Sequence, residues 1–473
     1  MNGDLSRVTF DKLKHYTRVV MQQGRVQLDA DFNEQTAILL HYLQTLAEDI
    51  IGSYGGPKDK LGFAITLTGT GTGWDKLSIG AGRYYVNGRL CEIELDTPFL
   101  SQKDLLLPKD FALSKPGKYL AYLDVWERHI TPLDAPEIQE VALRNADTAA
   151  RTKLIWQVKL VELSNVIAPI DCKIFSAVPA GAQLSMWDRA LRSIEPFNRG
   201  RLKAEAKREP GAGPAEPCIS SPDARFQGAE NQLYRVEIHQ SGPAGKATTS
   251  FKWSRDNATV VAAYKRKDGD ELVVTGMRDA QRWFASGDWV ELTHDGLELN
   301  GTPGIMVQLA SVEGESLRIK AGTASGEVFE PNGSVKNPKV RRWNHKETSM
   351  DPDSSAMDGG AMSLIEGRGA NEGWLELEDG IRIQFQPDTA QLPAPHQYRT
   401  GDYWLIPARV ATGDVEWPDD PGAPGVPSAV PPHGIDHRYA PLAVISIGAD
   451  GRPDGTEPID LRHAFSLNNV CVK

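Results

Sequence analysis

A chain of 473 residues exceeds one ordinary hydrophobic core, so two to four domains are expected. With 63 acidic and 52 basic residues the formal charge is −11, which repels phosphate backbones and anionic membranes alike, and no long Lys/Arg run offers a local exception. Cys91, Cys172, Cys218 and Cys471 form no CxxC pair, which argues against zinc ribbons and redox motifs and for reduced thiols.

The first residues, MNGDLSRVTFDKLKH, lack the apolar stretch of a secretory signal, and no window nears eighteen consecutive apolar residues. The expectation is synthesis in the cytoplasm with no membrane span. Residues 1–60 then hold the one strong helical signature. Asp31 and Glu34 fit a capping box, and Leu39, Leu43, Leu46 and Ile50 recur at helical spacing, broadened by Ile38 and Tyr42. Gly52 suits a left-handed close. A helix over about Phe32–Ile51 follows, and its stripe needs a partner surface.

Residues 61–178 read as a first β domain. Tyr84-Tyr85-Val86, Asn87-Gly88 and Arg89-Leu90-Cys91-Glu92-Ile93 form the best hairpin signal, because Asn-Gly tolerates the positive φ angles of a type I′ turn. Tyr119–Trp126 is mostly apolar and reads as a buried strand; Ile155–Val161 alternates. Residues 179–230 lose periodicity, with a linker-like Glu209-Pro210-Gly211-Ala212-Gly213-Pro214. A second β domain is expected over 231–345. A third β region, over 346–473, contains a Pro-rich loop at Trp417–Pro432. The fold class is therefore mainly β and multidomain, with sandwich or small-barrel domains behind an N-terminal helical arm. A short phrase occurs twice, at Trp283–Val290 and Tyr398–Leu405, and reads as a Gly-Asp turn feeding an aromatic-led strand.

Chemical motifs fail on inspection. From Asp29 a calcium loop would need Gly and Glu where Glu34 and Leu40 stand. His433 and His437 have H-x-x-x-H spacing but lie among prolines and Gly434, so they make only a weak metal pair. Gly69-Thr70-Gly71-Thr72-Gly73 precedes a strand, not the helix a phosphate cradle requires. No Walker sequence or G-x-S-x-G elbow occurs, so no catalytic residue and no cofactor is assigned. Eleven Trp raise a glycan hypothesis, with Trp253, Trp289 and Trp404 as candidate ligand-binding residues.

The stretch YTRVVMQQGRVQLDADFNEQ, Tyr16 to Gln35, resembles the N-terminal signature of an uncharacterised family encoded with contractile injection systems and phage-like tails. It is similar too to the openings of some phage baseplate and tail-fibre proteins. Gly82–Gly88, Asp124–Arg128, Asp147–Thr152, Phe251–Asn257, Arg341–Trp343 and Gly401–Trp404 continue the likeness along nearly the whole chain; Phe32 departs from the family's usual Trp. The resemblance implies a particle component without assigned activity: a baseplate-associated fibre, spike-side or casing subunit, trimeric or hexameric, acting by assembly. Alternatives are a glycan- or receptor-binding appendage and, behind it, a particle-borne polysaccharide or cell-wall hydrolase. Arg18, Gln22, Gln23, Arg25 and Asn33 are expected as interface or intrachain anchors beside Leu39, Leu43, Leu46 and Ile50.

Overall fold

The fold is seen in a computed structural model, which describes every residue except 1, 70, 109, 145, 164–170, 180–181, 196–197, 208–224, 246–248, 278–282, 346–356, 368–373, 387–395 and 467–473. The expected linker at 209–214 lies outside the described residues, as do Cys218 and Cys471; Cys91 and Cys172 are free thiols. The protein is mainly β, with many sheets, a closed barrel and an N-terminal helix.

The chain forms two compact units from interleaved segments, not three β blocks in series. One unit comprises Met1–Asp4, His129–Thr152 and Pro196–Ile435; the other comprises Leu5–Arg128, Lys153–Glu195 and Asp436–Lys473. The physical reason is strand pairing over long sequence distances. Arg438–Ile447 lies antiparallel to Gly117–Ile130, and Tyr403–Arg409 to Gln232–Gln240. The segment expected to be irregular, 179–230, holds helix Met186–Ile194 and strand Arg201–Ala206, which pairs with Ile381–Gln386. Short elements beside Gly and Pro concealed their periodicity.

In the unit that begins at Leu5, strand Gly117–Ile130 is buried on both faces. Tyr119, Ala121, Leu123 and Val125 enter one core; Leu120 and Tyr122 enter another. That explains its unbroken apolar run. The Asn-Gly hairpin forms as expected, Gly82–Val86 against Arg89–Ile93, with φ of +44° at Asn87 and +72° at Gly88.

The helix, α1, spans Asp29–Ile51 and starts earlier than the sequence suggested. Asp31 does not occupy the N-cap. It sits three residues after Leu28 and its carboxylate accepts the Leu28 N–H at 3.1 Å. Glu34 instead accepts from the Thr9 hydroxyl at 2.6 Å. Gly52 closes α1 at φ +91° but with extended ψ, donating to the Glu48 carbonyl.

The unit that contains Pro196–Ile435 combines a sandwich and a barrel. A six-stranded sheet centred on Gln232–Gln240 faces the three-stranded sheet of Arg201–Ala206, Ile381–Gln386 and Trp374–Glu378. Phe251, Trp253, Phe385 and Trp404 fill the space between them. Six further strands, from Val261 to Trp343, close a barrel when Val261–Asp268 pairs with Lys339–Trp343. The repeated phrase is one turn used twice. Asp288 N–H bonds the Ala285 carbonyl and Asp402 N–H the Arg399 carbonyl, with Gly287 and Gly401 at φ +88° and +87°. An aromatic-led strand follows each.

The hairpin turn also fixes α1. Asn87 donates to Glu48 at 2.8 Å, and a Cβ at Gly88 would stand 2.1 Å from the Gln44 carbonyl oxygen. Gly88→Ala is therefore expected to cost roughly 1–3 kcal/mol through backbone strain and lost helix contact. Differential scanning calorimetry should show a lower unfolding temperature, and limited proteolysis should cut the N-terminal arm faster. An unchanged midpoint would mean the turn does not hold the helix.

Candidate docking surface

α1 has two unlike faces. Ala30 and Ile38 are buried, Ile38 to 1% exposure, on the side that meets the chain's own unit. Phe32, Leu39, Leu43, Leu46 and Ile50 point away from it and remain 53–65% exposed. The helical spacing did bring the four expected residues onto one surface. Ile38, expected in that stripe, belongs to the inward face; its offset from the 39–43–46–50 series was the available sign.

The arm preceding α1 runs along it. Ser6 accepts from Asn33 at 2.8 Å, the Gln35 side chain accepts the Val19 N–H at 2.8 Å, and Phe10 meets His41 at 5.7 Å. Asn33 is thus an intrachain anchor. Thr9, Phe10, Glu34 and Gln35 share that task, and no local periodicity could have marked them. Arg18, Gln22, Gln23 and Arg25 are exposed around a turn at Gly24, where Arg25 N–H bonds the Gln22 carbonyl. Val8, Leu13, Val20 and Val26 of the arm are more exposed still, at 68–83%. Large apolar side chains are thus exposed along both the arm and α1.

The three Trp candidates are buried. Trp253 and Trp404 sit in the sandwich core, and Trp289 is buried beside Trp343 and His345. Strand Ser250–Ser254 is buried at all five positions, so alternation could not reveal which way Trp253 faced. The two candidate metal histidines take separate partners. His433 Nδ1 accepts the Leu405 N–H at 3.0 Å, while His437 Nδ1 bonds Asp124 at 2.6 Å and its ring stacks on Trp126. Asp134, Asp295 and Glu298 cluster at metal-like spacing, but Lys339 already bridges Asp134 at 2.6 Å and Glu298 at 3.2 Å. The Lys339 ammonium thus pairs with two of the three carboxylates.

A larger buried network joins the sandwich to the barrel. Lys252 donates to both Glu291 oxygens at 2.6 Å, approaches Glu237 at 3.2 Å and lies 4.5 Å over the Trp343 ring. Trp343 Nε1 and the Gly304 N–H complete the bonding of Glu291, and Arg235 pairs with Glu237 at 2.6 Å. Burial pushes the Glu237 carboxyl up, yet Arg235 and Lys252 outweigh it and hold the group at about 2. Burial lowers His239 and His345 to about 4, so both rings are neutral in the fold at pH 7.

These signs set the acid response. Two neutral histidines take up protons on unfolding, so stability falls as pH drops from ~6.5 toward 4. The carboxylate contribution is full above about pH 4.3 and disappears toward 2. Thermal melts from pH 7 to 3 should show a steady decline beginning near pH 6.5. Replacing His239→Gln and His345→Gln together should flatten the upper part and spare the lower.

Among the described residues no helix is long and apolar enough to cross a membrane. No curated protein matches the chain, and no solved structure does. Residues 1–178 and 191–451 match a family described as a family of unknown function, DUF6519. With the match covering nearly its whole length, the arm and α1 included, the chain belongs to the DUF6519 family.

Proposed function

We propose that the protein is a structural component of a contractile, phage-tail-like injection particle, joined to the baseplate through its N-terminal arm and α1. The β units supply fibre, spike-side or casing material, and the chain acts by assembly, not by turnover. The particle class comes from the sequence resemblance across Tyr16–Gln35 and the later phrases. The mode of action comes from one observation: α1 and the arm hold large apolar side chains in water while the opposite helix face is buried. Burying such a surface is the dominant favourable term in protein association.

The arm gives this reading its test. Tagged full-length chain should co-sediment with sheath-and-tube particles from the producing bacterium. Arg18→Ala with Arg25→Ala should lower recovery at least about tenfold, the scale of ~1.4 kcal/mol or more at an interface. A wild-type chain recovered only in the free fraction would remove the reading.

A saccharide-binding appendage is the second reading, now resting on a different tryptophan. Half-buried Trp374 lines a cleft of about 340 Å³ with Lys203, Glu205, Gln384, Gly425, Val426 and Pro427. Arg382 lies 4.9 Å from the Trp374 ring and donates to Glu205 at 2.6 Å. An aromatic ring ringed by polar groups suits a sugar, whose apolar face stacks while its hydroxyls bond. On a glycan array, wild-type binding that Trp374→Ala abolishes would support this; no signal across the array would exclude it.

A further inference from the structure

Leu39, Leu43, Leu46 and Ile50 are spaced by four, three and four residues, and Phe32 and Thr36 continue that alternation toward the start of α1. The spacing matches the seam of a coiled coil, in which each apolar knob enters a hole formed by four residues of a facing helix. Any amphipathic helix shares this spacing, so the width, charge and area of the face decide its occupant. Leu40 and Tyr42 flank the seam and are 47% and 51% exposed, so the apolar stripe is wider than the seam itself. Along the seam and its flanking positions from Phe32 to Ile50 the sole charged residue is Asp49. Identical copies therefore meet without rows of like charge.

Area agrees with that occupant. The seven apolar side chains from Phe32 to Ile50 expose on the order of 700 Å² per copy, taking ~200 Å² for each when fully open. Three copies that cover all seven would bury roughly 2,100 Å² in all, about the upper end of the ~1,200–2,000 Å² of standard-size specific interfaces. The inward face needs no rearrangement, because Gly88 and Asn87 already clamp it. The outward face is preorganised.

We infer that α1 packs against α1 of further copies of this chain, as a parallel coiled coil of three. Three copies fit better than two because the flanking Leu40 and Tyr42 are then covered as well. The inference rests on the reading of α1 as a docking element, and it leaves Arg18–Arg25 free to engage the particle.

Light scattering after size-exclusion chromatography of the full chain, at micromolar concentration, tests it. The expected mass is three times the 51.8 kDa of one chain. Leu43→Asp with Leu46→Asp should yield monomer with an unchanged far-ultraviolet dichroism spectrum, since both side chains are exposed. Ile38→Ala, on the inward face, should lower the thermal midpoint and leave the mass alone. A two-copy mass lost in the double variant would keep the self-paired seam and overturn the three-fold arrangement. A monomeric wild type, or a double variant that stays oligomeric, would overturn self-association. If that monomer still co-sediments with particles, a foreign helix fills the seam and the docking reading survives. If trimers form but never join particles, the docking reading fails and the self-paired seam stands.

Discussion

A helix clamped to its own domain on one side, with leucines facing water on the other, is the constraint on which the rest depends. Water disfavours that second face in proportion to its apolar area, so any surface that covered it would lower the free energy. The clamp makes the face useful. Gly88 brings its turn against the Gln44 carbonyl, and Asn87 ties the same turn to Glu48, which fixes the rotation of α1 about its axis. A partner then meets a helix already formed and oriented, with little conformational entropy left to lose.

Within each β unit, two-sided packing and buried charge fix the arrangement of strands. Strand Gly117–Ile130 is packed on both faces, and the sandwich and barrel share the Lys252–Glu291–Glu237 network. The charges in that network are closed on one another: Glu291 accepts from Lys252, Trp343 and Gly304. Buried ion pairs of this kind contribute less to net stability than to a unique arrangement, because desolvation offsets their attraction. Here the arrangement specified is the placement of strand Trp289–Thr293 against Ser250–Ser254. Asp124, held down against burial by His437 and Lys159, does the same beside Trp126.

What could be read from the sequence was what local physics decides. The Asn87-Gly88 turn needs positive φ and says so in two residues. The stripe of α1 needs only the helical period, and the buried strand at Tyr119–Trp126 only its unbroken apolar run. Three things needed non-local pairing and were hidden. Strand Arg438–Ile447 joins a sheet begun more than three hundred residues earlier, so units interleave where the composition suggested blocks in series. Barrel closure depends on Val261 meeting Arg341. The inward turn of Trp253, Trp289 and Trp404 depends on sheets stacking over them. The anchors Thr9 and Gln35 were invisible for the same reason, being defined by an arm that folds back on its helix.

Hydroxyl-radical footprinting of Leu39, Leu43, Leu46 and Ile50 bears most directly on whether this helix face exists to be covered by an assembly. In dilute, dissociated chain these four should be modified far faster than the buried Ile38, and assembly should suppress their modification while Leu95, exposed elsewhere, stays reactive. Equal protection of all five α1 residues in the dilute monomer would contradict the account, because the chain would then cover its own seam.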